Sequence, residues 1–429
     1  MDSQAVSLKA YWELVRDNRN FRRLWFAQIT SEIGDWFYTL AIYSMLLEFT
    51  GRAASVGLAV VLQVLPQTLI GPTAGVVNDR ASRRRVMIFA DLARFLIVLG
   101  MLLVRDRAMV WLVYPLLLLE TVMYAFFEPG RSAVVPNIVG AQRVLAANTL
   151  SSTTWSVNFM IGSMLGGLMA ALLGRDAVFL FNALTFLVSA WLIRGVHFEE
   201  PHLKESTPLR PRDLVDFSPV LEGINYVRSD KRLLVTVLVK GGLGLLGSNW
   251  VIYPILGERV FPVAVAGWDA KRAALLGMSL LMGFRGVGSL LGPFATAPWA
   301  GAKEPRLRLG IFLGFLCSGV GYLALAAAPS LPLACLAVIV AHAGGSLVWV
   351  FSTTLLQLYT EDRFRGRVFS ADYGFCFLAI SLTAYAAGLA IDWGMPVREL
   401  TAWSGMLMLI PAGLWALAQR IWTRHPPNA

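Results

Sequence analysis

Charge is what this chain has least of. Only 15% of its 429 residues are Asp, Glu, Lys or Arg, against roughly 25% in soluble domains. That is too little to cover the surfaces of the two or three soluble domains the length would otherwise allow. Histidine is scarce too: His197, His202, His342 and His425 are the four, too scattered for a metal site. The three cysteines, Cys317, Cys335 and Cys376, each sit inside an apolar stretch. Neither a disulfide framework nor a metal-ligand spacing is visible. No HExxH, GxSxG or Walker loop occurs, so no catalytic residues, metal or cofactor are predicted and the chain does not read as an enzyme. Gly242-Leu243-Gly244-Leu245-Leu246-Gly247 spells the dinucleotide fingerprint, but it lies in an apolar run without a preceding strand. It predicts tight helix packing instead. The net charge of +10 does not predict nucleic acid, because the basic residues lie in short loops between apolar runs. No cleavable leader is expected: some twenty polar residues precede a first apolar run long enough to span.

Apolar residues make up 56% of the chain, and its mean hydropathy is +0.61. A spanning helix needs about 20 mainly apolar residues. Such runs begin near Leu24, Ser55, Val86, Met109, Leu150 and Ala177. Six more begin near Leu233, Ala273, Leu307, Leu333, Val368 and Thr401. Between them lies a polar stretch carrying Pro201, Pro208, Pro211 and Pro219. The expected fold is an all-α membrane protein of twelve transmembrane helices in two pseudo-symmetric six-helix halves. The halves are residues 1–193 and 233–429, joined by a linker over 194–232. The linker's end, Leu221 to Leu234, reads equally as an amphipathic surface helix or as a tether.

Loop charge orients this map. Of the 37 Lys and Arg, 26 fall on the side holding both termini and the linker, and 8 on the other. Arg94, Lys240 and Arg285 lie inside spans. Both termini are therefore expected in the cytoplasm, in a multi-pass inner-membrane protein. Under a shift of 221 residues, Gly71-Pro72 falls on Gly292-Pro293 and Gly167-Leu168 on Gly388-Leu389, as in a duplicated six-helix unit.

The loop after the second span reads Gly-x-x-x-Asp-Arg-x-x-Arg-Arg at Gly75, Asp79, Arg80, Arg83 and Arg84. With the twelve-span map, it identifies the chain as resembling the major facilitator superfamily. Asn20 to Trp25, Gly34-Asp35-Trp36 and Thr354 to Gln357 resemble the branch containing the bacterial enterobactin exporter and related drug exporters. The stretch Pro129 to Asn148 resembles that branch and also the lysophospholipid transporters. The chain departs from the proton-antiporter pattern in two places. Gly162 to Gly167 lacks the proline common in the fifth span, and the fourth-span Arg is missing. The resemblance implies a secondary transporter working by alternating access, with a small-molecule substrate, protons as coupling ion and a lipid bilayer around a monomer. The specific reading is export of an amphipathic drug or siderophore. A lysophospholipid translocator and a non-transporting scaffold or sensor are the alternatives. For the loop, the resemblance implies a gate in which Asp79 pairs with Arg and with a neighbouring helix N-terminus.

Ionisable residues inside spans are costly and read as functional candidates. Glu32 and Asp35 are three apart on one helix face and suit a proton site. Asp91 and Arg94, also three apart, predict a supporting ion pair. Glu120 is a deep carboxylate, and Glu128 is placed to cap or to pair with Arg131. Lys240 and Arg285 are the second-half cations, with Asp35 or Glu120 as possible partners for Arg285. Together, Glu32, Asp35, Glu120, Lys240 and Arg285 form the expected proton-coupling and substrate-cavity set. Trp36, Trp155 and Trp250 are candidates to line an apolar pocket, although core packing is the commoner role. His342 reads as a packing residue.

Overall fold

The computed structural model describes residues 8–200, 203, 218–301, 303–361 and 364–424. Pro201, His202, Pro208, Pro211, Arg363 and His425 lie outside the described residues. Among the described residues every regular element is a helix. In chain order these are α1 (Leu8–Asp17), α2 (Arg19–Thr50), α3 (Ala53–Arg80), α4 (Arg83–Gly100), α5 (Val113–Val139), α6 (Val144–Leu173) and α7 (Arg175–Arg194). Then come α8 (Ser218–Ser229), α9 (Lys231–Gly244), α10 (Asn249–Arg259), α11 (Ala270–Ala300) and α12 (Glu304–Ala327). The last are α13 (Leu331–Tyr359), α14 (Arg365–Asp392), α15 (Val397–Leu407) and α16 (Leu409–Arg424).

Eleven segments among the described residues are long and apolar enough to cross a membrane. One joins α9 to α10 through a tight 3₁₀ turn at Leu245–Ser248, and another joins α15 to α16. The expected first span, α2, is not among them. Its 32 residues are long enough, but Glu32, Asp35 and Glu48 make it more polar than the rest. It is a twelfth by length alone. Large apolar side chains such as Phe89, Leu96, Trp191 and Leu382 stand exposed, as lipid-facing surfaces require.

The repeat is visible in the helix boundaries. α4 starts at Arg83 and α12 at Glu304; α6 starts at Val144 and α14 at Arg365. Both pairs are separated by the 221-residue shift. Two helices of the first half end on glycine. Gly140 (φ 74°) and Gly174 (φ 83°) follow α5 and α6, a backbone region only glycine enters freely. Their N–H groups close the last turns onto Pro136 O and Ala170 O.

Contacts divide the chain into two compact units. The first holds Met1–Ile42 and Leu69–Asp216; the second holds Tyr43–Thr68 and Phe217–Ala429. The outer part of α2 and the start of α3 thus belong with the later helices. Within the second unit, Asp392 at the end of α14 accepts the Ala53 and Ala54 N–H groups at 2.7 and 3.0 Å. Gly57 and Gly388 let α3 and α14 touch there: a Cβ on Gly57 would lie 2.7 Å from Ala384 O, and one on Gly388 2.5 Å from Ala54 Cα.

In the first unit α4 packs on α5 and α7. Phe21, Leu24, Met87, Ala90, Phe127, Val134 and Ile193 form a buried apolar centre. In the second unit α13 packs on α11 and α12, and small residues set the spacing. A Cβ on Gly321 would come within 2.4 Å of Ala341 N, and one on Gly288 within 2.4 Å of Ile339 O. The Gly242-to-Gly247 run has the same role. A Cβ on Gly244 would meet Ala379 at 2.5 Å, and one on Gly247 would meet Ile380 O at 2.4 Å. The linker's end is a docked helix rather than a tether. α8 buries Val227 with Leu233, Val237, Leu356 and Val368 and stacks Tyr226 on Phe364 at 4.1 Å. It stops at Asp230, whose carboxylate caps α9 by accepting Arg232 N–H.

Candidate functional site

The first unit gathers its deepest charges around Arg94. Arg94 lies eleven residues into α4, about 16 Å along the helix and so near the middle of a ~30 Å hydrocarbon layer. Its side chain is 1% exposed. Arg94 Nη2 donates to Asp35 Oδ2 on α2 at 2.6 Å. Arg94 Nε donates to Glu120 Oε1 on α5 at 2.9 Å. Asp91, one turn earlier on α4, is 3.7 Å from Nη1. The guanidinium also lies 3.9 Å from the Phe186 ring centroid and 5.5 Å from that of Tyr124. Three helices are thus tied to one cation by charge-assisted bonds, the strong kind. The Asp91–Arg94 contact expected from spacing is present but is the longest of the three. Asp35 is the least buried of the cluster, with 25% of its side chain exposed, and its Oδ1 is buried without a hydrogen-bond partner among the described residues.

Glu32 sits one turn before Asp35 but has its own partners. It accepts Gln28 Nε2 at 2.9 Å and Asn158 Nδ2 at 3.0 Å. Gln28 Oε1 in turn accepts Arg131 Nη1 at 3.1 Å, and Arg131 grips both oxygens of Glu128 at 2.9 and 2.5 Å. Between the two options for Glu128, it is the pair with Arg131 that forms. Next to this network Trp36 packs on Phe159 at 4.4 Å and on Trp155 at 5.7 Å. A Cβ on Gly162 would lie 2.7 Å from Trp36 Cβ, and one on Gly166 2.5 Å from Phe37 Cα. The glycines therefore bring α6 onto the functional face of α2. Of the three tryptophans, Trp36 and Trp155 are brought together.

The second unit holds the other candidates. Asp35 and Glu120, proposed partners of Arg285, are engaged by Arg94. Arg285 lies over Trp250 at 3.9 Å. Lys240 pairs with Asp372 on α14, both fully buried. His342 is packed: its Nε2 bonds the Tyr253 hydroxyl at 2.7 Å, and that hydroxyl donates to Tyr322 Oη at 3.1 Å. Asp372 escaped notice in the sequence although it was legible there, as an acid within the eleventh apolar run. Gln28 and Asn158 carried no signal, because uncharged amides do not stand out inside a span.

The expected signature loop is mostly helix: Gly75, Asp79 and Arg80 lie in the last turns of α3, Arg83 and Arg84 open α4, and only Ala81–Ser82 lie between. Gly75 is in open space and Arg80 is half-buried. Asp79 is 73% exposed and meets Arg83 Nη2 at 3.4 Å. Arg83 also donates to Asn78 O and Ala133 O, and Arg84 to Val196 O. A second acid, Glu200, occupies the N-terminus of α4. Glu200 accepts from Arg83 N–H and from the Ser82 hydroxyl, each at 2.7 Å, at the start of α4. A carboxylate at a helix N-terminus meets free amides and the positive dipole end.

Residues 24–319 match the family model described as Major Facilitator Superfamily. The chain belongs to this superfamily. It is similar to YfiS of Bacillus subtilis, an uncharacterised MFS-type transporter, at 24% identity over 89% of this chain and 88% of that protein. Macrolide efflux protein A of Streptococcus pyogenes is 27% identical over 51% of this chain and 54% of its own length. A solved POT family transporter, in complex with a thioalcohol-conjugated peptide, shares the fold. Its TM-score is 0.74 at 11% identity, covering 94% of this chain and 96% of that one. The chain is thus a multi-pass membrane transporter of a small molecule and not an enzyme.

Proposed function

We propose that this transporter exports a small amphipathic molecule, a drug or siderophore, in exchange for protons. It would work by alternating access of its two halves, as a monomer in the inner membrane with both termini in the cytoplasm. The observation that carries the reading is Arg94 facing three carboxylates, Asp35, Glu120 and Asp91, deep within the first unit. One guanidinium neutralises one carboxylate. The remaining negative charge is costly in hydrocarbon, and protons are the small ions that remove it. A proton on the unpartnered Asp35 Oδ1 turns the charge-assisted 2.6 Å bond between α2 and α4 into a weaker one to a neutral acceptor and leaves the ion pair of Arg94 to Glu120. Proton binding is thereby tied to the hold between two helices, which is what coupling requires. Glu32, one turn away and partly satisfied by amides, is the next residue in line for the proton. A relative named for macrolide efflux supports the outward direction.

The test is flux in proteoliposomes under an imposed pH gradient, with a panel of amphiphiles. Wild type is expected to move substrate against the proton gradient. Asp35→Asn is expected to keep substrate binding and lose the response to the gradient. Flux that ignores the gradient in wild type and is unchanged in Asp35→Asn would overturn proton exchange. Absence of flux for every class would overturn export itself.

A further inference from the structure

The proton reading leaves the buried pair of the second unit unused. Lys240 comes from α9 and Asp372 from α14, and both side chains are 0% exposed. Lys240 Nζ donates to Asp372 Oδ2. Its other neighbours are ring faces. The ammonium lies 4.6 Å from the centroids of Trp349, on α13, and Tyr373, and 5.8 Å from Phe369. Rings around an ammonium within about 6 Å are the arrangement by which proteins select organic cations. Here a side chain of the protein itself fills the cage.

Two features go beyond a structural pin. Asp372 Oδ1 is buried with no hydrogen-bond partner among the described residues. The carboxylate therefore keeps acceptor capacity that Lys240 does not use, whereas buried polar atoms placed for stability are normally satisfied. One wall of the cage also reaches the surface: Tyr373 is 36% exposed. From it an aromatic row runs along one face of α14. Phe369, Tyr373 and Phe377 follow at four-residue spacing with centroids 6.1 Å apart, and Trp349 stacks on Tyr373 at 5.6 Å. A ring-bearing molecule can lie on this row with its charged end at the cage.

We propose that the cage is a binding site for a ring-bearing organic ammonium, and that Lys240 is its built-in occupant, displaced when the ligand pairs with Asp372. Lysine suits this role. Its charge rides on a flexible four-carbon stem that can withdraw, unlike the planar fork of arginine. The incoming ammonium takes over the carboxylate and the ring faces, and its own ring takes the Tyr373–Phe377 surface. The proposal rests on the transporter reading but not on proton exchange.

The experiment is equilibrium dialysis of radiolabelled 2-phenylethylammonium against purified full-length protein in lipid nanodiscs, with empty discs subtracted. 2-Phenylethanol serves as the uncharged analogue. Removing the occupant with Lys240→Ala is expected to tighten ammonium binding about tenfold while leaving the alcohol unchanged. Asp372→Asn is expected to abolish the preference for the ammonium. Trp349→Leu keeps the ion pair, so it tests the cage even where Lys240→Ala does not fold. It is expected to weaken the ammonium by roughly 3- to 30-fold and to spare the alcohol. A folded Lys240→Ala that binds no tighter than wild type would overturn the proposal. So would a Trp349→Leu that binds the ammonium as wild type does, or equal binding of ammonium and alcohol. Each would make Lys240–Asp372 a structural pin. Binding is measured at equilibrium without a gradient, so failure of proton exchange in the flux assay and failure of this site are separate results.

Discussion

At the scale of single residues, the chemistry rests on the pairing geometry of a few buried charges. Arg94 reaches Asp35 and Glu120 through different nitrogens, which a single ammonium cannot reproduce. Arg94→Lys is therefore expected to stay inserted and to lose most transport, read as flux against a melting curve. Arg94→Ala leaves three carboxylates around an empty position. Removing one partner of a buried pair costs about 3–5 kcal/mol, so this variant is expected to melt far below wild type in detergent. Glu200 matters through backbone rather than through another side chain. Glu200→Gln removes the charge at the start of α4, worth about 0.3–1 kcal/mol. Faster amide hydrogen exchange over Arg83 to Val86 is the expected readout. Unchanged exchange would return the role at that helix end to Asp79.

At the scale of elements, small residues decide which helices meet. Gly166 brings α6 to within contact of Phe37 on α2, and the nearest atom to an added Cβ is backbone. No side chain can swing aside there. Gly166→Ala is expected to push α2 away from α6, disturb the neighbouring Glu32–Asn158 bond and lower transport severalfold. Gly413→Ala, where nothing lies within 4 Å, is expected to be neutral in the same assay. The helix elements repeat between the halves, but the charges do not. The positions 221 residues beyond Asp35, Asp91, Arg94 and Glu120 are Leu256, Phe312, Phe315 and Ala341. The duplicated architecture has kept its packing and confined this acidic cluster to one copy.

At the scale of the whole molecule, the twelve-segment map and the bias in loop charge make one statement about orientation. Single cysteines at Asp79 and Lys303, in a chain with Cys317, Cys335 and Cys376 replaced, are expected to react with a membrane-impermeant maleimide only after permeabilisation. Cysteines at Arg52 and Arg107 are expected to react in intact cells. The reverse pattern would invert the orientation. Contacts also cut across chain order. Tyr43–Thr68 groups with the later helices because Asp392, Gly57 and Gly388 hold the start of α3 on α14. No count of apolar runs foretells this, since the contact is made by one carboxylate and two glycines.

Sequence by itself determined the class of molecule, the places of the spans, the repeat and the family. Each of these rests on local chemistry: a run of apolar residues must meet lipid, a cluster of arginines must meet water, and a motif is read along the chain. It also marked Asp35, Glu120, Arg94, Lys240 and Arg285, because any charge in hydrocarbon stands out. Partnership is another matter. Asp35 meets Arg94 across 59 positions and Lys240 meets Asp372 across 132. Only tertiary structure could decide that Arg94 takes Asp35 and Glu120 together, and that Lys240 lies within three rings. Pairing depends on which helix faces come together, and those are set by glycine contacts and packing spread over the whole chain.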